Sequence, residues 1–95
     1  MKKVIYISGK ITENTNYKEE FKKEEEYIKR TNPECVILNP TILPEGLSYE
    51  AYMKIDLAMV EVCDAIFMMS NWKNSSGARR EIKHARKLGK EVIYF

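Results

Sequence analysis

Two acidic residues sit where helices of a soluble protein normally carry apolar side chains. Residues 75–88 read as a helix whose apolar stripe runs through Ala78, Ile82, Ala85 and Leu88. Glu81 falls on that inward stripe, while Arg79, Arg80, Lys83, Arg86 and Lys87 face water. Residues 48–62 read as a second helix, apolar at Tyr52, Met53, Ile55, Leu57, Met59, Val60 and Val62. Asp56 lies one turn from both Tyr52 and Val60, within that surface. An inward carboxylate is costly unless it has a partner or a task, and neither acid has a basic residue on its own inward face. Paired acids in a cleft are what glycosidic bond cleavage requires. One attacks or stabilises the anomeric carbon while the other manages a proton.

The residues ahead of Glu81 suggest a second element of a site. Ser75, Ser76 and Gly77 occupy a helix N-terminus, where free N–H groups and the dipole favour an anion. Gly77 permits close backbone approach, and Lys10, just after Gly9, adds a positive charge. Each of these readings has a plainer rival. Glu81 can cap its own helix or pair with a lysine. Asp56 can sit at a solvated helix border. Ser75, Ser76 and Gly77 also make an ordinary N-cap. Trp72 either stacks a base or covers the end of the sheet. His84 lies toward the outer part of its helix and is assigned no chemistry.

The elements that must position these side chains alternate. Residues 3–8 read as a strand and 14–31 as a helix with Tyr17, Phe21 and Ile28 inward. Residues 35–38 form a second strand closed by Asn39-Pro40, and 41–47 a loop. After the helix capped by Ser48, residues 64–69 make an apolar third strand, as expected for one covered on both faces. Residues 70–76 are a polar loop before the Glu81 helix, which Gly89 stops. Residues 91–95 are the last strand.

The order β-α-β-α-β-α-β predicts one α/β domain over residues 1–95: a Rossmann-like, flavodoxin-like three-layer α/β/α sandwich around a four-stranded parallel sheet, order 2-1-3-4. Ligands in such sheets bind beyond the carboxyl ends of the strands, where strand order reverses. That point lies between the first and third strands, flanked by loops 8–16 and 70–76 and by the Asn39-Pro40 turn.

Bulk properties narrow the partners. A 95-residue chain with 44% hydrophobic and 32% charged residues is globular rather than disordered. At this length folding buries only about two-thirds of the unfolded surface, which leaves room for a homo-oligomer, a dimer or larger. A net charge of +2 gives no case for polymeric nucleic acid. The longest apolar run, residues 65–69, is too short for a membrane span, and Lys10 cuts off the signal-like start at Met1-Lys2-Lys3. Cys35 and Cys63 lie in apolar surroundings without metal-like spacing, so buried free thiols in the cytoplasm are expected.

Several segments together resemble the nucleoside 2-deoxyribosyltransferase superfamily, closest to its small deoxyribosyltransferase-like branch of bacteria and phages. They are Val4-Ile5-Tyr6-Ile7-Ser8-Gly9-Lys10-Ile11, Asn39-Pro40, Tyr52-Met53-Lys54-Ile55-Asp56-Leu57, Cys63-Asp64-Ala65-Ile66 and Trp72-x-x-Ser75-x-Gly77-Ala78-x-x-Glu81-x-x-x-Ala85-x-x-Leu88-Gly89. They span nearly the whole chain in the same order.

The resemblance implies that Glu81 is the nucleophile at C1′ of a 2′-deoxynucleoside or its 5′-monophosphate. Base departs, a deoxyribosyl ester remains, and another base (transferase) or water (hydrolase) accepts the sugar. Asp56 would orient the substrate and help protonate the leaving base, and Tyr6 would hold the nucleophile by a hydrogen bond. Ser8, Gly9, Lys10, Asn39, Trp72, Ser75, Ser76 and Gly77 are the implied substrate contacts, with no metal and no organic cofactor. Nucleoside-using members carry an aspartate where this chain has Ser75. A hydroxyl there can donate to a 5′-phosphate that a carboxylate would repel, which favours a nucleotide. The sequence ends just after its fourth strand, where members of the superfamily continue, so activity is expected either to depend on a neighbouring subunit or to be lost. The other reading is a non-catalytic nucleotide-binding or sensing module of the same fold.

Overall fold

Alternation of side chains along parallel strands decides which helix meets which residue. The computed structural model describes residues 2–95; Met1, part of the basic start considered above, lies outside them. Strands β1 (Val4–Ser8), β2 (Val36–Leu38), β3 (Ala65–Met68) and β4 (Glu91–Tyr94) form one sheet in the order β2-β1-β3-β4. All three pairings are parallel, with Tyr6 beside Leu38 on one side and Ile66 on the other, and Ile66 beside Val92. Helices α1 (Tyr17–Thr31), α2 (Tyr49–Val62) and α3 (Ser76–Lys87) complete the α/β architecture.

The sheet has two apolar faces. Ile5, Ile7, Ala65, Phe67 and Met69 pack with Phe21 and Ile28 of α1. Tyr6, Ile66 and Met68 pack instead with Val60 of α2 and Ala78, Ile82 and Ala85 of α3. Right-handed crossovers give this arrangement: the step from β1 to β2 puts α1 on one face, and the reversed steps to β3 and β4 put α2 and α3 on the other. β3 is buried at every residue because both of its faces are covered. Cys35 and Cys63 are buried free thiols. No helix among the described residues is long and apolar enough to cross a membrane.

Local departures from the sequence reading have identifiable causes. The first helix begins at Tyr17, not at residue 14, because the Asn14 side chain donates to Lys10 O and to Glu20 Oε1, and Glu13 takes a left-handed φ of 58°. The loop after β2 opens with a 3₁₀ turn, Pro40–Ile42, capped by the Asn39 side-chain Oδ1 accepting from Thr41 N. A second such turn, Trp72–Asn74, occupies the loop after β3. Leu88 is exposed, since α3 has already ended before Gly89 turns the chain at a φ of 72°. Ile55 and Val62 also face outward: α2 carries more apolar residues than one helical face can bury.

At the carboxyl end of β1 the chain passes Gly9 in a tight space. A side-chain carbon there would lie 2.6 Å from Met69 Sδ, 3.1 Å from Met69 Cβ and 3.2 Å from Asn71 Oδ1. Gly9→Ala is therefore expected to cost about 1–3 kcal/mol through overpacking. Urea unfolding should show a lower midpoint with an unchanged slope; an unchanged midpoint would contradict this packing.

Candidate active site

A cavity of about 270 Å³ opens at the carboxyl end of the sheet, beside the β1–β3 reversal. Its wall combines Gly9, Ile11, Thr12 and Tyr17 from the β1–α1 segment with Pro40, Thr41, Leu43, Glu45 and Gly46 from the loop after β2. Tyr49, Tyr52, Met53 and Asp56 come from α2, and Ser75, Gly77, Ala78 and Glu81 from the start of α3 and its cap. The volume lies near the small end of ligand pockets, which run roughly 300–1,000 Å³.

Glu81 and Asp56 meet in this cavity, 5% and 6% exposed. Parity brings β1 to the same place: Tyr6 and Ser8 both point to the α2/α3 side. The Ser8 hydroxyl, fully buried, donates to Glu81 Oε1 at 2.7 Å. Tyr6 is also fully buried, and its hydroxyl finds no partner within hydrogen-bond geometry. It lies near enough to Glu81 and Asp56 that their charges hold its proton on, adding to the larger effect of burial. Asp56 Oδ1 is buried without a partner as well.

Burial pushes both acids up. Glu81 rises to about 8, with the Ser8 hydrogen bond opposing and the nearby Asp56 charge reinforcing the rise. Asp56 rises to about 6, again through desolvation. The two steps belong to the pair: two carboxylates this close do not both ionise freely, so near neutral pH they hold one proton between them. Glu81 is the sixth residue of α3, past the first turn where the helix dipole acts most strongly.

The remaining sequence candidates separate into those on the cavity and those off it. Gly9, Ser75 and Gly77 line it. Ser75 caps α3 by accepting from Ala78 N, which leaves its own hydroxyl proton to donate. Ser76 is exposed beside the mouth, 3.0 Å from the Tyr49 hydroxyl. Asn39 is buried behind the wall, accepting from Thr41 and donating to Glu25 Oε1. Lys10 is outside the lining, with its backbone N–H donating to Asn71 Oδ1. Trp72 is also outside, packed on the α3 side of the sheet against Tyr94. Three tyrosines on the wall, Tyr17, Tyr49 and Tyr52, were not singled out from sequence as ligand contacts. Their signal was position: Tyr17 and Tyr49 begin their helices, and Tyr52 lies one turn into α2, all at the end where ligands bind. Among the described residues no group of three or more His, Cys, Asp or Glu is placed to hold a metal.

The fold resembles that of a solved structure. A 2-desoxiribosyltransferase from Leishmania mexicana superposes with a TM-score of 0.75 at 23% identity, over 98% of this chain and 63% of that one. At that identity the likeness establishes the fold, and the chain spans less than two-thirds of the other protein's length. Residues 3–94 match the family described as a domain of unknown function, DUF4406, and the chain belongs to it. No curated protein matches it significantly.

The raised carboxyls have a consequence for stability. In the unfolded chain both titrate near about 4, and in the fold at about 8 and about 6. Across that window the folded protein keeps protons that the unfolded chain has released, so stability from these groups falls as pH rises from about 4 to about 8. Glu81→Gln should flatten that fall and be more stable than wild type at pH 8, as read by urea unfolding across the range. Parallel profiles for the two proteins would contradict the burial of the charge.

Proposed function

We propose that this protein cleaves or transfers the N-glycosidic bond of a 2′-deoxynucleoside 5′-monophosphate or a related nucleotide through Glu81. The observation that carries the reading is the buried carboxyl pair on one cavity wall. Two carboxyls with one proton are the equipment for displacing a base and protonating it as it leaves.

In the reactive form Glu81 is the carboxylate and Asp56 the acid. Glu81 attacks C1′, the C1′–N bond breaks, and its electron pair leaves on the base, which takes the Asp56 proton. A glutamyl–sugar ester and an ionised Asp56 remain. Asp56 then takes a proton from water as the oxygen attacks C1′. The ester C1′–O bond breaks, returning Glu81 to carboxylate and Asp56 to acid. A second base in place of water makes the reaction a transfer. Neither course needs a metal or organic cofactor.

Supports for substrate class come from the wall. Tyr17, Tyr49 and Tyr52 supply aromatic surface for a base. Ser75, at the α3 N-terminus, supplies a donor for a 5′-phosphate, with the Gly77 backbone beside it. Lys10, on the β1–α1 segment outside the lining, reaches a 5′-phosphate only by swinging inward. Exposed Ile42, Leu47 and Tyr49 alternate with wall residues at the mouth and suit closure by a second copy of the chain. Buried free thiols suit the reducing cytoplasm.

Incubation with deoxynucleoside monophosphates, followed by chromatography of free base, tests this reading. Wild type should release base, with kcat/KM highest between about pH 6 and 8. Glu81→Ala should lose roughly a thousand-fold or more. Ser75→Asp should lower the preference for monophosphates over nucleosides. Equal base release by wild type and Glu81→Ala would discard the enzymatic reading. Thermal stabilisation by nucleotide without base release would replace it with a binding or sensing module.

A further inference from the structure

Two buried carboxyls that share one proton must still be told apart, since only one can be the nucleophile. We propose that Ser8 is the positioning residue that biases the shared proton toward Asp56, by giving its single hydroxyl hydrogen to Glu81 Oε1 from behind the cavity. The proposal deepens the function proposed above and rests on it for its catalytic meaning, but the bias itself is a property of the three side chains.

The geometry is asymmetric. Ser8 Oγ lies 2.7 Å from Glu81 Oε1, in a fully buried contact that links β1 to α3. The hydroxyl donates to Glu81 Oε1, and donation to a carboxylate oxygen favours the ionised form. No hydroxyl donates to Asp56: its Oδ1 is buried with no partner, and the group that favours its ionised form is the Glu81 carboxyl itself. A proton on Asp56 turns that acceptor-only group into a donor, able to reach Glu81 or a leaving base. Ser8 is outside the lining, so its hydroxyl acts through Glu81 rather than on a ligand.

The other groups facing the pair add less to this asymmetry. Tyr6, on the same strand, has a hydroxyl without a partner in hydrogen-bond geometry, and it leans the same way as Ser8, toward an ionised Glu81, but more weakly. It is free to reinforce an ionised Glu81 once charge develops there. Cys63, behind Tyr6, spends its thiol on Val60 O. Burial pulls the opposite way from Ser8, raising Glu81 further than Asp56 and favouring a protonated Glu81. Ser8 therefore narrows the gap that must be crossed before attack. A hydroxyl at this position depends on strand parity: residue 7 or 9 would face α1 instead.

Carbon-13 NMR of the side-chain carboxyls, titrated from pH 4 to 10 in the intact chain, measures the bias without substrate. Glu81→Gln and Asp56→Asn spectra assign the two signals. Ser8→Ala should raise the Glu81 midpoint by about one unit or more, and lower or leave the Asp56 midpoint. Ser8→Thr, which restores the hydroxyl, should return both toward wild type. If Ser8→Ala does not fold, Ser8→Cys, similar in size but a weak donor, should show the same shift to a smaller extent. An unmoved Glu81 midpoint in a folded variant lacking the hydroxyl overturns the proposal, whatever the protein does to nucleotides. Where wild type releases base, Ser8→Ala should lower kcat by about ten- to a hundred-fold, move the activity profile to higher pH, and change KM little. A fall in KM-dependent binding alone, with kcat and profile unchanged, would assign Ser8 to the substrate and overturn the positioning role.

Discussion

Everything at the carboxyl end of this sheet is organised around a conflict between burial and charge. Glu81 and Asp56 are almost completely removed from water and stand close together. Ionising both is costly, and burying an unpaired charge is among the more destabilising things a small domain can do. One shared proton and one hydroxyl donor at Ser8 reduce that cost without removing it, and the Tyr6 hydroxyl beside them stays unpartnered. The site therefore holds acids whose protonation responds to small changes in their surroundings, and this sensitivity is what acid–base chemistry uses.

The fold makes this arrangement from very little chain. Residues 4, 6 and 8 of β1 face α2 and α3 because side chains alternate, and α2 and α3 share that face because both crossovers run the same way from β2. The third layer, α1, never approaches Glu81, but its first turn brings Tyr17 to the cavity. Asn71 accepts from Lys10 N and so ties the loops after β1 and β3 together, while Asn39 pins the turn that supplies Pro40 and Thr41 to the wall. Polar side chains used in this way hold backbone, not ligand.

Much of the fold could be read from the sequence because its signals were redundant. The β-α alternation and the continuous apolar run at Ala65–Met68 both point to a parallel sheet covered on both faces. The two acids were legible for the opposite reason, as exceptions to their own helical stripes. Ser8 was expected as a ligand contact, but it shares the parity of Tyr6 and donates to Glu81. Counting two residues along the strand would have turned it toward Glu81. Trp72 and Lys10 fell away from the wall because a loop's composition does not set its path: a 3₁₀ turn rotates Trp72 onto Tyr94, and Asn71 fixes the backbone at Lys10. The tyrosines of the wall were hidden by their ordinary look as amphipathic core residues at helix starts.

Trapping the sugar on the protein tests the central claim most directly. A 2′-fluoro-arabinonucleoside 5′-monophosphate slows the second displacement, because fluorine disfavours positive charge at C1′. After incubation with it, intact-protein mass spectrometry should show the chain heavier by one fluorosugar phosphate, and fragmentation should place the addition on Glu81. Release of base from the natural nucleotide, with no adduct or with one on another residue, would contradict the account.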